Sequence, residues 1–291
     1  MTGLQIVPRG PFSLRAAAGF GFGGTIGAPA YDGAMRLAFA VDGFAGHAGV
    51  LLRERDDGSI EGEVQGTRDV DAVRAQVARI LSLDHDAVAW MAVGERDPVI
   101  GRLQREYPGV RPVLFHSPYE AAAWSIVSSR RQAHHAAEVR RRISVQLGAT
   151  FDVGGVAMAA FPLPERLLEV QPGPGLPEEK VVRLRGIAEA ALAGLLDPVR
   201  LRALEPEAAI AELQTLRGIG PFYAALILVR SSGVADVTTF DPRVLATVAH
   251  HYGLERRPDA AAFEQLSLAW RPFRTWAQVL LRVAAGDAER R

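Results

Sequence analysis

Residues Leu213–Val248 read LQTLRGIGPFYAALILVRSSGVADVTTFDPRVLATV. Leu213 and Leu216 close one apolar periodic run, and Ala224 to Val229 make the next. Between them, Gly218-Ile219-Gly220 lets the backbone turn sharply and take positive φ. Pro221 suits the first helical position, because its ring presets φ and its missing N–H is one that a helix start leaves unbonded. The pattern predicts a helix, a tight turn and a second helix. The open N–H groups of that turn, with the positive end of the second helix dipole, make an anion site of the kind phosphate occupies. Further on, Asp241-Pro242 enters a third helix.

The rest of the composition narrows the possibilities. A chain of 291 residues has room for a sizeable core, in one large or two modest domains. An apolar content of 48% and zero net charge describe a soluble globular chain. No apolar run reaches the roughly 20 residues of a membrane-spanning helix. The opening MTGLQIVPRGPFSLR lacks a charged start followed by an apolar core, so no signal peptide and a cytoplasmic location are expected. Cysteine is absent, which excludes disulfides, cysteine-ligated zinc and an iron–sulfur cluster. Zero net charge does not advertise nucleic-acid binding, but a turn that grips phosphate through backbone N–H groups needs fewer basic side chains. Lys180 is the only lysine and reads as solvent-facing.

From the N-terminus, Met35–Val41 alternates as a strand does, and Gly49–Arg55 with Ser59–Gly66 reads as a hairpin around Asp57-Gly58. Asp69–Leu83 is amphipathic at helical spacing, with Asp69 as its N-cap. Strands followed by a helix suggest a small α+β layer. The Gly-rich FGFGG at Phe20–Gly24 lacks the spacing of a dinucleotide fingerprint and reads as a strand edge. From Asp84 the chain is mostly helical: 98–107, a long helix or helix pair over 119–147, then 165–168, 178–195 and 206–216. The adjacent His134-His135 point about 100° apart on a helix and cannot chelate one ion well. Arg140-Arg141-Arg142 reads as a solvated face.

Leu-x-x-Leu-x-Gly-Ile-Gly-Pro-x-x-Ala at 213–224, with Asp241 downstream, resembles the helix–hairpin–helix of the DNA glycosylase superfamily. Trp270-Arg271-Pro272-Phe273-Arg274-Thr275-Trp276 is similar to a segment of its 3-methyladenine DNA glycosylase II (AlkA-like) branch. The resemblance implies an α+β fold: a small N-terminal antiparallel sheet domain over residues 1–110 and a mostly helical glycosylase domain over 111–291. It implies Asp241 as the catalytic carboxylate and a base pocket near Phe222, Leu226, Trp276 and Arg282, with Phe20 or Phe22 reaching in from the N-terminal part. Phe222 stands where the family presents a Trp, Leu226 replaces a family aromatic, and Arg282 falls where another Trp is expected. Double-stranded DNA carrying damaged bases is the implied partner, met by a monomer through Gly218, Ile219 and Gly220. Arg130 falls on the position of a loop that fills the gap left by an extruded base, with Arg131 beside it. No cofactor is required by the resemblance. A sodium or potassium ion held by the backbone carbonyls of Gln214, Leu216 and Gly218 is an option it carries.

Breaking an N-glycosidic bond develops positive charge on the sugar, which a fixed carboxylate stabilises. One carboxylate suffices when the leaving base is already cationic, as an alkylated purine is. The same Asp-Pro pair is also a favourable helix start, so Asp241 as a mere N-cap stays open. The superfamily's lyases use a lysine in the hairpin's second helix, where this chain has Phe222, so hydrolysis without a lyase step is expected. Trp270 and Phe273, aromatics at helical spacing, are expected in the core. Two alternatives remain: a glycosylase for another damaged purine or bulky adduct, suited to Arg282, and a non-catalytic module that binds DNA lesions.

Overall fold

The computed structural model describes residues 2–20 and 30–288. Four strands, β1 (Thr2–Ile6), β2 (Met35–Ala40), β3 (His47–Glu54) and β4 (Ile60–Gln65), pair antiparallel in the order β1-β4-β3-β2. The expected strand and hairpin are therefore present, with Gly58 at φ 78° in the turn and Ser59 bonded to Asp57 Oδ1 through its N–H and hydroxyl. Side chains alternate across a strand, so Ala48, Val50 and Leu52 face one side with α2 (Val70–Ile80) and α1 (Leu14–Ala18). Leu51 faces the other side, against Phe151 and Val153 of a small ribbon, β5 (Thr150–Asp152) and β6 (Ala157–Ala159). Covering on both faces explains why the middle of β3 is apolar throughout rather than alternating. Asp69 caps α2, accepting from Ala72 N–H at 3.0 Å. Residues 21–24 of the FGFGG stretch lie outside the described residues.

The helices form two further cores. One gathers α5 (Pro118–Ser128), α6 (Ala133–Leu147), α7 (Pro164–Leu167), α8 (Glu178–Leu192), α9 (Pro198–Ala203), α10 (Pro206–Leu213) and α11 (Pro221–Ser231). The other joins α3 (Ala87–Arg96) and α4 (Pro98–Glu106) to α12 (Pro242–His251), α13 (Ala260–Ser267) and α14 (Arg274–Ala288). This third core cuts across the boundary expected at residue 110, because α3 and α4 complete a bundle whose other members come from the end of the chain. Among the described residues no helix is long and apolar enough to cross a membrane.

Asp97 holds that third core together. Its Oδ1 caps α4, accepting from Val99 and Ile100 N–H at 3.0 and 3.1 Å. Its Oδ2 accepts from Tyr252 Oη at 2.6 Å and Trp270 Nε1 at 2.9 Å. Trp270 is fully buried, and burial with the Asp97 bond pushes the Tyr252 hydroxyl well above its ordinary pKa. A second buried acid, Glu120, lies between His116 Nδ1 at 3.2 Å and Arg140 Nη2 at 2.5 Å. Burial pushes its carboxyl up, but the charges and hydrogen bonds of His116 and Arg140 outweigh this and hold it at about 2. Arg140 is thus part of a buried pair rather than a purely solvated face.

Asp97→Ala removes the α4 cap and the acceptor of the half-buried Tyr252 hydroxyl, while Trp270 Nε1 keeps Tyr252 Oη at 3.0 Å, so it should cost about 2 kcal/mol in a urea melt. A loss under about 0.5 kcal/mol would show that water replaces the carboxylate. Glu120 has a folded pKa below its unfolded value of 4.5, so its stabilisation is present above that value. It should be lost as pH falls from 4.5 towards 2, and Glu120→Gln should flatten the pH dependence of the melting temperature in that window.

Candidate active site

The hairpin of α10 and α11 turns through Gln214–Gly220. Gly218 sits at φ 94°, and a Cβ there would lie 2.9 Å from Arg183 Cδ and 3.0 Å from Ile126 Cδ1. Both the conformation and the close approach of α8 and α5 require glycine at this point. Ile219 plugs the turn into the helical core, while Gly218 and Gly220 are exposed and Gly220 faces open space. Of this motif, only backbone is offered to a ligand. No side chain caps α11 at Gly220, and the first helical bond runs from Ala224 N–H to Gly220 O at 2.9 Å. The first-turn N–H groups therefore meet the surface together with the helix dipole.

Asp241 is the N-cap of α12. Its Oδ1 accepts from Arg243 N–H at 2.8 Å, and its Oδ2 pairs with Arg282 Nη1 of α14 at 2.7 Å. The pair is partly open to solvent, with Asp241 26% and Arg282 40% exposed. The loop leading to Asp241 is clamped by the first turns of α14. Thr275 Oγ1 donates to Val237 O at 2.9 Å and accepts from Val237 N–H at 3.1 Å. Gln278 Oε1 accepts from Thr239 N–H at 3.1 Å. Arg274 binds Asp236 Oδ1 at 2.8 Å and Glu264 Oε1 at 2.7 Å. The Trp-Arg-Pro segment thus works as a scaffold: Trp270 anchors it in the core, and the residues after Pro272 fix the carboxylate loop.

Phe222 is 64% exposed at the first turn of α11, and Leu226 follows it one turn on, half-buried. Sequence reading passed over the next residue on that face, Arg230, although the i, i+4, i+8 spacing from Phe222 was a signal for it. Its guanidinium lies over the Phe20 ring at 5.1 Å and donates to Val113 O at 2.7 Å. Burial, and then the charge of Arg282, press its pKa down to about 9. Arg230 thus touches Phe20 and lies within reach of the charge of Arg282; Phe22 lies outside the described residues. Beyond Arg282, a cleft of about 460 Å³ between α12 and α14 is lined by Arg243, Arg257, Arg282 and Thr247.

Trp276 does not join this group. It is 3% exposed, packed between Trp90 at 5.8 Å and Phe273 at 5.1 Å, with Arg111 over its ring. It belongs to the α3–α14 core because the residue at its position on α14 faces α3. Trp270 and Phe273 are core residues, as read from their spacing. Arg130 is exposed at φ 55° in the turn after α5, and Arg131 is half-buried. Lys180, expected to face solvent, instead turns its ammonium onto the carbonyls of Val127 and Ser129. Among the described residues no group of three or more His, Cys, Asp or Glu could hold a metal ion.

No protein-family profile matches the chain. It is 21% identical over 204 residues to a DNA-3-methyladenine glycosylase of Bacillus subtilis, covering 68% of this chain and 67% of that protein. It is 28% identical over 214 residues to a probable bifunctional transcriptional activator/DNA repair enzyme AlkA of Mycobacterium tuberculosis, covering 72% of this chain but only 42% of the longer relative. The fold matches that of a 3-methyladenine DNA-glycosylase from Archaeoglobus fulgidus with a TM-score of 0.79 at 20% identity, over 98% of this chain and 99% of the other.

The two hydrogen bonds of Asp241 separate its structural duty from any other. Asn keeps an acceptor for Arg243 N–H, so Asp241→Asn should leave stability within about 0.5 kcal/mol, whereas Asp241→Ala should lose about 1 kcal/mol with the cap. Equal losses in chemical denaturation would mean that the Arg282 pair, rather than the cap, carries the stabilisation.

Proposed function

We propose that this chain, which fold and sequence matches assign to the AlkA-like branch of the helix–hairpin–helix DNA glycosylase superfamily, hydrolyses the N-glycosidic bond of alkylated bases of the 3-methyladenine type in double-stranded DNA. The observation that carries the reading is a single carboxylate, Asp241, fixed at the start of α12 and paired with Arg282, whose charge reaches Arg230 of the hairpin's second helix. A base cannot be reached inside the duplex, so the nucleotide leaves the stack. The hairpin N–H groups hold the strand's phosphate. Phe222 offers a face for the extruded base, with Leu226 and Phe20 behind it. Asp241 stabilises the positive charge that grows on the sugar and orients water to it. A cationic base leaves as a neutral molecule, so no acid is needed to protonate it.

The reaction stops at an abasic site. A lyase step needs an amine at the sugar, but Phe222 occupies the hairpin position and the only lysine is committed to main-chain carbonyls beyond the hairpin turn. A sodium or potassium ion on the Gln214, Leu216 and Gly218 carbonyls would complete the phosphate site. Leu216 O already accepts from Ile219 N–H at 3.0 Å, which leaves it one lone pair for such an ion. The catalytic unit includes α3 and α4 with the helices after residue 110, and the sheet part supplies Phe20 near its pocket. Arg282 supports a second base class. Its guanidinium beside Asp241 disfavours a cation in the pocket and suits a neutral damaged purine with acceptor atoms.

Duplex DNA treated with a methylating agent should release free bases and become alkali-labile with the wild-type chain. Asp241→Asn should lower the rate by about 100-fold or more while still binding the duplex. Borohydride should trap no covalent complex. Release by both proteins at equal rates would remove Asp241 from the chemistry. Release of oxidised or deaminated bases alone, from a defined lesion panel, would replace the first base class by the second.

A further inference from the structure

The ammonium of Lys180 donates to Val127 O and Ser129 O, each at 2.9 Å. Burial first, and then the charges of Arg131 and Arg183, lower its pKa. The two carbonyls belong to the end of α5, where the last turn leaves carbonyls unbonded and the dipole favours a cation. Ser129 O matters for a second reason. Arg131 N–H donates to Ser128 O at 3.0 Å, closing a four-residue turn. Ser129 lies at φ −51° and ψ 125°, and Arg130 at φ 55°. This is the type II form, whose third position ordinarily carries glycine or asparagine. Arginine there is strained and needs something to hold it.

Types I and II differ by a flip of the central peptide, here the one joining Ser129 to Arg130. The direction of the Ser129 carbonyl therefore decides which form is present. We infer that Lys180 is a positioning residue: by holding that carbonyl it keeps the turn in the type II form and projects Arg130 from the surface beside the hairpin. The inference rests on the proposed reading only in that the turn enters the duplex there. One turn of α8 serves both elements, since Lys180 reaches the Arg130 turn while Arg183, three residues on, packs against Gly218 of the hairpin. If the peptide flips, φ of Arg130 becomes negative and its side chain leaves that surface.

Lys180→Met and Lys180→Arg test this in the whole chain. In type II the Hα of the second residue lies close to the N–H of the third, so Lys180→Met should weaken the NMR cross-peak between Ser129 Hα and Arg130 N–H by about 3-fold or more and leave the amide shifts of α11 unchanged. It should slow single-turnover base release from methylated duplex by about 10- to 100-fold at saturating protein, with affinity for undamaged duplex held within about 2-fold. Lys180→Arg has donors enough for both carbonyls and should restore most of each effect. An unchanged Ser129 Hα to Arg130 N–H cross-peak in the Met variant would overturn the inference whatever the activity. A parallel loss of affinity for undamaged duplex would also overturn it, making Lys180 a general DNA contact. No base release by the wild type would overturn the reaction instead, and the cross-peak would still decide the role of Lys180.

Discussion

The guanidinium of Arg79 is the contact on which the arrangement of the molecule depends. From α2, under the sheet, it donates to the carbonyl of Ser231 at the end of α11, to His116 O at 2.8 Å and to Asp42 Oδ2 at 2.7 Å. Gln76, one turn earlier, holds Ala40 O and His116 O at 3.1 Å. Sheet, connector and hairpin helix thus meet on one polar face of α2. The last carbonyls of a buried helix need donors, and water is excluded here. A planar fork with five N–H groups can supply several at once. Fixing the end of α11 in this way fixes its other end too, and the other end is where Gly220 and Phe222 reach the surface.

The same device recurs. Arg111 collects the carbonyls of Arg9, Gly10, Pro11 and Ser82. Arg230 holds Val113 O, Arg185 holds Val170 O, and Lys180 holds the end of α5. These cations tie irregular segments to helices inside the protein, so a count of basic residues overstates the charge available to a polyanion. At the hairpin tip the backbone of Gly218 and Gly220 is exposed beside the side chain of Arg217.

What the sequence disclosed was local. The hairpin, the Asp69 cap, the β3–β4 turn and the Asp241-Pro242 helix start are each set by a few neighbouring residues, and each is found where the pattern put it. What it hid depended on distant partners. Trp276 lies in a helix near the pocket, but only the docking of α3 decides that its ring faces Trp90. The pairing of α3 and α4 with the end of the chain leaves no mark on their own periodicity. Lys180 has the surroundings of a surface residue in sequence, and only the fold brings Ser129 O to it. Arg230 sits in an apolar helix, where its spacing from Phe222 carried information but its neighbour Phe20 could not be inferred.

Asp241 as a cap and Asp241 as a reacting group are compatible, because the two duties use different oxygens. Oδ1 is committed to Arg243 N–H, which fixes the plane and rotation of the carboxyl group. Oδ2 is turned to Arg282 on α14, in a pair that is partly open to solvent and takes no part in the helix start. The cap thus supplies the preorganisation that charge stabilisation requires, since a carboxylate free to rotate would lose part of its effect in reorienting as charge develops. Thr275 and Gln278 add to this by holding residues 237–239, so the carboxylate is fixed from its loop as well as from its helix. One oxygen held by the helix start and one left partly open let a single acid keep its structural duty and still face solvent.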